Sequence, residues 1–200
     1  MKRNLLKLLV ALTLFSPFAI LAQPETYTFD PMHTSVLWHI SHLGFSNPSG
    51  KWQASGTLVL DQNKLQDSKV NATINTADIV TGIPKLDEHL KKELFFDVAR
   101  FPTATFVSNK IQMTGKNTAK VYGMLTLRGV SKPIVLNVTL NKIGMSPVSN
   151  KQTAGFSATT ELKRSDFGMT TLLPDLGDDV KINIEAEAFK ADQGATPNAN

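Results

Sequence analysis

Residues 119–127 and 133–143 read AKVYGMLTL and PIVLNVTLNKI, and their alternation decides the fold class. Val121, Gly123, Leu125 and Leu127 fall on one side of the first stretch; Ile134, Leu136, Val138 and Leu140 fall on one side of the second. A period of two marks a half-buried β-strand, because successive side chains point to opposite faces. Pro133 stands at a strand's first position, where a missing N–H is tolerated. Six further stretches read the same way. Toward the N-terminus, 103–113 sets Phe106 on one side and Val107, Ile111 and Met113 on the other. Before it, 69–76 aligns Val70, Ala72 and Ile74, and 50–60 aligns Trp52, Ala54, Gly56, Leu58 and Leu60. The first, 34–42, aligns Val36, Trp38, Ile40 and His42. Toward the C-terminus, 153–163 aligns Ala154, Phe156, Ala158 and Leu162; 179–189 aligns Val180, Ile182, Ile184, Ala186 and Ala188.

Turn residues fall between these stretches, at Asn47–Gly50, Thr114–Asn117, Gly144–Pro147 and Asp175–Asp178. Short connections at regular spacing predict antiparallel neighbours in a meander. One apolar face per strand fits a sandwich or a closed barrel equally well. A single segment, 77–102, does not alternate. Within it, 84–93 is predicted to be helical: Pro84 suits a first turn, and Ile83, Leu86, Leu90 and Leu94 recur at three- and four-residue steps. Asp87 and Glu88 near its start and Lys91 and Lys92 near its end suit the macrodipole and predict two i,i+4 pairs. Phe95, Phe96 and Phe101 follow in a dense aromatic cluster.

The ends of the chain are of another kind. Lys2 and Arg3 precede the apolar run Leu8–Phe15, Ser16-Pro17 breaks it, and Ala19–Ala22 ends on a small residue. This is the pattern of a secretory signal, with cleavage after Ala22 and a mature chain from Gln23. An uncleaved membrane anchor is disfavoured, since the run is short of about 20 residues and Pro17 interrupts it. The small, polar residues 191–200 are expected to be disordered. One domain is therefore expected over 23–190. Of 21 Lys and Arg, the signal holds Lys2, Arg3 and Lys7, which leaves 18 bases against 17 acids. A near-neutral mature chain offers no electrostatic footprint for nucleic acid. Without any cysteine there is no disulfide, thiol nucleophile or thiolate metal site.

Candidate chemistry is sparse. By strand parity His33 and His39 share one face and His42 the other, so no shared metal site is expected on that strand. Asp87, Glu88 and His89 occupy successive helical positions and diverge around the axis. No serine stands in a Gly-x-Ser-x-Gly elbow, and Asp166-Phe167-Gly168 lacks every other kinase motif. Asn71-Ala72-Thr73 and Asn137-Val138-Thr139 are sequons inside strands. No enzyme, metal or cofactor is expected. The aromatic residues are mostly phenylalanine, 11 Phe beside 2 Trp and 2 Tyr. They fit either a solid core or a barrel that leaves room for one small apolar ligand.

Several short motifs in order give the chain a resemblance. They are His33-Thr34-Ser35-Val36 with Trp38, Ile40 and His42; Asp87 and His89-Leu90; Phe95-Phe96-Asp97 and Phe101-Pro102; and Phe106 with Ser108. Gly123, Leu125-Thr126, Arg128-Gly129-Val130, Phe156-Ser157-Ala158 and Arg164-Ser165-Asp166-Phe167-Gly168 complete the series. With these residues the chain resembles the YceI-like family of periplasmic, lipocalin-like proteins associated with polyisoprenoid binding. Trp38, where phenylalanine is common, and the stretch Met169–Gly177 are individual to this chain.

The resemblance implies an all-β fold, a lipocalin-like eight-stranded antiparallel barrel with one short helical insertion that covers an opening together with Phe95–Phe101. It implies a periplasmic, non-catalytic carrier whose partner is a polyisoprenoid or another long-chain apolar lipid. A homodimer and transient membrane contact are compatible with it. The ligand-binding set expected on inward faces is Val36, Trp38, Ile40 and His42, then Phe96, Phe101 and Phe106. Leu125, Leu127 and Leu136, with Phe156, Ala158 and Phe167, complete it. Arg164 and Asp166, at equal strand parity, are expected to pair and pin a strand end. The rival readings are a stress-response interaction module with a solid barrel and a small metal-dependent enzyme built on His33, His42 or Asp87–His89.

Overall fold

The alternating stretches become strands, and the strands close on themselves. The computed structural model describes residues 23–191; the expected signal at 1–22 and the expected tail beyond Ala191 lie outside the described residues. Ala191 still donates its N–H to Thr26 O at 2.9 Å, so hydrogen-bonded chain runs one residue into the segment expected to be disordered. The strands are β1 (Glu25–Phe29), β2 (Ser35–His42), β3 (Ser49–Gln53), β4 (Ser55–Leu60) and β5 (Lys69–Asn75). After the helix α1 (Pro84–Leu90) come β6 (Thr103–Met113), β7 (Thr118–Leu127), β8 (Val130–Met145), β9 (Gln152–Lys163) and β10 (Leu176–Lys190).

Hydrogen bonding runs β1-β4-β5-β6-β7-β8-β9-β10 and returns from β10 to β1, a closed antiparallel ring of eight. Strands β2 and β3 extend two staves of that ring. β10 pairs with β1 through Ala188–Lys190 and with β2 through Leu176–Glu185. β1 and β2 therefore form one stave interrupted at 30–34, and β3 and β4 form another interrupted at Ala54. The first interruption is a turn, with Asp30 Oδ1 accepting the Met32 N–H at 3.0 Å and Pro31 in the position such turns favour. Thr34 then bridges the gap in the ladder. Its hydroxyl donates to Glu187 O at 3.1 Å and lies 3.3 Å from Glu187 N, replacing a backbone partner.

Three expectations are corrected by the backbone. β1 was not anticipated, although it closes the ring and holds Tyr27 with no exposed surface. Asp175–Asp178 is not a turn: β10 begins at Leu176, with an irregularity before Val180. Within β6, Ser108 pairs with Gly123 and Lys110 with Tyr122, so Asn109 is an extra, bulged residue. That bulge shifts the parity, and Ile111 and Met113 face the same side as Phe106 rather than the opposite one. Val107 points outward as expected, 49% exposed.

The non-alternating segment closes one end. β3 has no strand on its outer edge; instead Lys51 and Val80 exchange backbone hydrogen bonds of 2.9 and 3.0 Å, and Trp52 Nε1 donates to Thr76 O at 3.2 Å. The helix is shorter than predicted. It stops at Leu90 because the chain folds back over its end: the Phe96 N–H reaches Leu90 O, and the Val98 N–H reaches Lys91 O. The two i,i+4 pairs do not form. Asp87 Oδ1 accepts from the Thr81 N–H (2.8 Å) and hydroxyl (2.6 Å), while Lys91 pairs with Glu88 one position closer, at 2.8 Å. Arg128, in the β7–β8 turn, donates to the carbonyls of Glu93 and Phe95 and ties the fold-back to the barrel.

Apolar packing divides between the two ends. Tyr27, Phe29, Leu58, Leu60, Ala154 and Ala188 form a plug at the end where β1 meets β10. Trp38, Trp52, Ile79, Leu90 and Phe95 pack at the helix-covered end.

Candidate functional site

Between these clusters the barrel is hollow. The cavity has a volume of about 760 Å³, within the roughly 300–1,000 Å³ typical of small-molecule sites. It follows from the sequence pattern. Each stave sends every second side chain inward, and the inward set is aliphatic or aromatic almost throughout, including Val36, Ile40, Leu125, Leu136, Phe156 and Ile184.

Of the residues singled out from the sequence, Val36, Trp38, Ile40 and His42 line the cavity from β2, as do Phe96 and Phe106. Leu125, Leu127 and Leu136 line it from β7 and β8, and Phe156 and Ala158 from β9. Two do not. Phe101 packs instead against the β7–β8 turn, where a Cβ on Gly129 would come within 2.8 Å of its ring, and the Arg100 guanidinium lies 5.1 Å from its centroid. Phe167, 1% exposed, is buried in the wall beside the cavity, in a 3-10 turn at Arg164–Phe167 where strand parity does not apply.

Other lining residues came from outside the alternating stretches: Leu86, His89 and Leu90 on α1, Phe95 after it, and Met169 and Leu172 before β10. The helical spacing of Leu86 and Leu90 was the available signal for the first group. Nothing in the alternation marks the second.

The aromatic residues at the covered end are mutually braced. Trp38 and Trp52 lie 6.4 Å apart, and Phe96 stands edge-on to Trp52 at 4.9 Å. Trp38 Nε1 is buried without a hydrogen-bond partner. Its indole sits over Gly50, where a Cβ would fall 2.5 Å from the ring; only glycine leaves room for it. His89 packs edge-on against Phe95 at 4.9 Å.

At the helix-covered end the lining residues His42, Leu43, Ser46, His89 and Leu172 are all exposed and form a mouth. The loops there are stitched together: the Leu43 N–H donates to Asp175 O (3.0 Å), the Leu176 N–H to Leu172 O (2.7 Å), and the Thr171 hydroxyl to Leu94 O (3.2 Å).

Arg164 and Asp166 do not pair. The buried guanidinium donates to three carbonyls, those of Gly177 (2.8 Å), Met169 (2.8 Å) and Leu176 (2.9 Å). Asp178, held below the usual carboxylate range by Ser165, Lys163 and Arg164 against the opposing effect of burial, bonds the Ser165 N–H and hydroxyl. Thus Arg164 ties Met169 of the preceding loop to the first two residues of β10 through their backbone carbonyls.

The histidines are dispersed. His33 lies on the surface, 2.7 Å from Asp30, whose hydrogen bond and charge raise its pKa above the ordinary value. Asp87 and Glu88 are committed to Thr81 and Lys91, away from His89. Among the described residues, no three His, Asp or Glu side chains are grouped to hold a metal ion. The chemistry on offer is enclosure of an apolar molecule.

Comparison with known proteins identifies relatives of this chain. A family model described as the YceI-like domain matches residues 27–188. The protein YceI of Salmonella arizonae is 36% identical over 191 residues, covering 95% of this chain and 99% of its own length. The crystal structure of the Campylobacter jejuni YCEI protein superposes with a TM-score of 0.68 at 32% identity, covering 76% of this chain and 91% of that one. A polyisoprenoid binding domain from Saccharophagus degradans superposes with a TM-score of 0.65, covering 82% of this chain and 98% of its own. At 14% identity that likeness concerns the fold.

Proposed function

The chain belongs to the YceI-like family, and on that premise we propose that it is a non-catalytic carrier holding an isoprenoid-type or similar amphiphilic lipid inside its barrel. The observation that carries this reading is the cavity itself, about 760 Å³ and lined without a single Asp, Glu or Lys. Such a lining offers dispersion contacts and desolvation to an apolar chain and little to a polar metabolite. The Saccharophagus domain, described as polyisoprenoid binding, supports the same ligand class. The export pattern at 1–22 supports work in the periplasm.

Energetics favour carriage over permanent capture. Moving about 30 prenyl carbons from water at about 0.8 kcal/mol each would yield roughly 24 kcal/mol, above the non-covalent ceiling of about 18–21 kcal/mol. A prenyl lipid starts in a bilayer, however, and its transfer reflects only the difference between two apolar surroundings. Loading and release are then both accessible. The exposed apolar residues around the opening, Leu43, Phe45, Leu94 and Leu172, suit transient contact with a membrane during that exchange.

The test is mass spectrometry of an organic extract from freshly purified protein, with metal analysis of the same sample. A long-chain lipid near one per protein is expected. A lipid-free protein that takes up no added prenyl lipid, or one with a stoichiometric metal, overturns the reading.

A further inference from the structure

Three ionisable side chains line the cavity: His42, His89 and Arg164, and all three are basic. They stand toward the open, helix-covered end, whereas the opposite end is plugged by Tyr27, Phe29, Leu58, Leu60, Ala154 and Ala188. The cavity is therefore polarised along its axis, with all its ionisable lining groups at the mouth and none at the floor.

Arg164 is the unusual member. It is 4% exposed, and burying a fixed charge is costly unless an opposite charge or several good hydrogen bonds accompany it. Its three bonds go to neutral carbonyls, those of Gly177, Met169 and Leu176, and employ three of the five N–H groups of a guanidinium. Among the described residues no carboxylate lies within ion-pair distance of it. Asp178, the one acid that influences it, is turned to the Ser165 N–H and hydroxyl and to Lys163. Arg164 thus brings a positive charge into an apolar wall and leaves it without a contacting counter-ion. Leu176, whose carbonyl accepts from Arg164 Nη2, is also the cross-strand partner of His42. The permanent cation and the mouth histidine flank one residue of β10, beside the exposed Ser46.

We propose that the carried amphiphile has an anionic oxygen head group, a carboxylate or a phosphate, seated at this mouth against Arg164 and His42, with its chain running toward the floor. This rests on the reading of the barrel as a lipid site and adds the polar half of the ligand. The anion supplies the charge that Arg164 lacks, and guanidinium geometry matches both groups.

The experiment uses delipidated full mature protein and matched ligands, titrated by displacement of a fluorescent lipid probe. Oleate is compared with methyl oleate, and geranylgeranyl phosphate with geranylgeraniol. Each pair keeps the chain and removes the charge. At least tenfold tighter binding of one or both anions over its neutral partner is expected, and which pair shows the larger gap separates phosphate from carboxylate. Replacing His42, which is exposed, by Leu should weaken the favoured anion by roughly two- to fivefold more than it changes the neutral partner. Arg164→Gln should abolish the discrimination; because it also removes three loop contacts, its result is read only where circular dichroism shows an intact barrel, and the wild-type pairs decide otherwise. Equal binding within both pairs, or preference for the neutral ligands, overturns the head-group inference while leaving the lipid site standing. If none of the four displaces the probe, both fall together.

Discussion

Ala158 is where a single side chain tests the hollow interior. It lies on the inward face of β9 between Phe156 and Thr160, is 7% exposed, and pairs across the sheet with Val138 and Ile184. In a close-packed core a tryptophan there would overpack its neighbours at a cost of about 1–3 kcal/mol. Where the space beyond the wall is open, the indole enters it. Ala158→Trp is therefore expected to melt within about 4 °C of wild type when both are lipid-free, an allowance of about 1 kcal/mol for a chain of this size. Its co-purifying lipid should fall by more than half. The comparison needs lipid-free samples because bound ligand raises stability by mass action. A melt lowered by many degrees would point to a filled core. Arg164 shows the opposite limit of residue-level reading: its partners are three carbonyls, and no residue type in the sequence announces a carbonyl.

At the scale of elements, β6 shows how one residue resets a face. Because Asn109 is surplus to the ladder, Phe106 and Ile111 share a side despite opposite parity. Deleting Asn109 should give an unbroken strand with Ile111 and Met113 still inward, at a cost below about 2 kcal/mol for the lost twist and surface contacts. Deleting Met124 from the regular strand β7 is a different matter. It must turn either Val121 or the pair Leu125 and Leu127 out of the cavity wall, at about 1.5–3 kcal/mol for each side chain exposed. Urea denaturation of the two deletions should separate them clearly, and equal destabilisation would contradict the assigned bulge. The helix end teaches a similar lesson. The 84–93 prediction ran three residues too far because backbone groups of Phe96 and Val98 compete for the carbonyls of Leu90 and Lys91.

At the scale of the molecule, closure depends on the short strand β1. Only three residue pairs join it to β10, and Glu25 adds a side-chain clasp, accepting from Lys190 Nζ at 2.6 Å. That hydrogen bond, with the lysine charge, holds the Glu25 carboxyl below its ordinary value. A lowered carboxylate pKa adds stability above the unfolded value of about 4.5 and loses it as pH falls through the folded value. Wild type should therefore lose more melting temperature than Glu25→Gln between pH 5.5 and pH 3, with the two converging in acid. Both groups are about one-third exposed, so the difference should stay under about 1 kcal/mol, or about 4 °C. Parallel pH profiles for the two proteins would show that the clasp contributes nothing to closure.

Alternation alone determined a great deal: eight β-stretches, the inward side of seven of them, and the connection at 114–117 were legible because a strand's period is a local property of the chain. The turn expected at 47–50, by contrast, lies earlier, at 43–45, with Ser49 and Gly50 already in β3. The helix start at Pro84 was legible for the same reason. Local signals could not show that the sheet closes, since Glu25–Phe29 is too short to stand out and its pairing with β10 spans nearly the whole chain. Nor could they show the parity shift at Asn109, which depends on how β7 lies alongside, or the true places of Phe101 and Phe167, which lie outside any strand. The existence of the cavity belongs to the tertiary structure as well. The same apolar faces would fill a sandwich, and only the curvature and closure of eight staves leave about 760 Å³ between them.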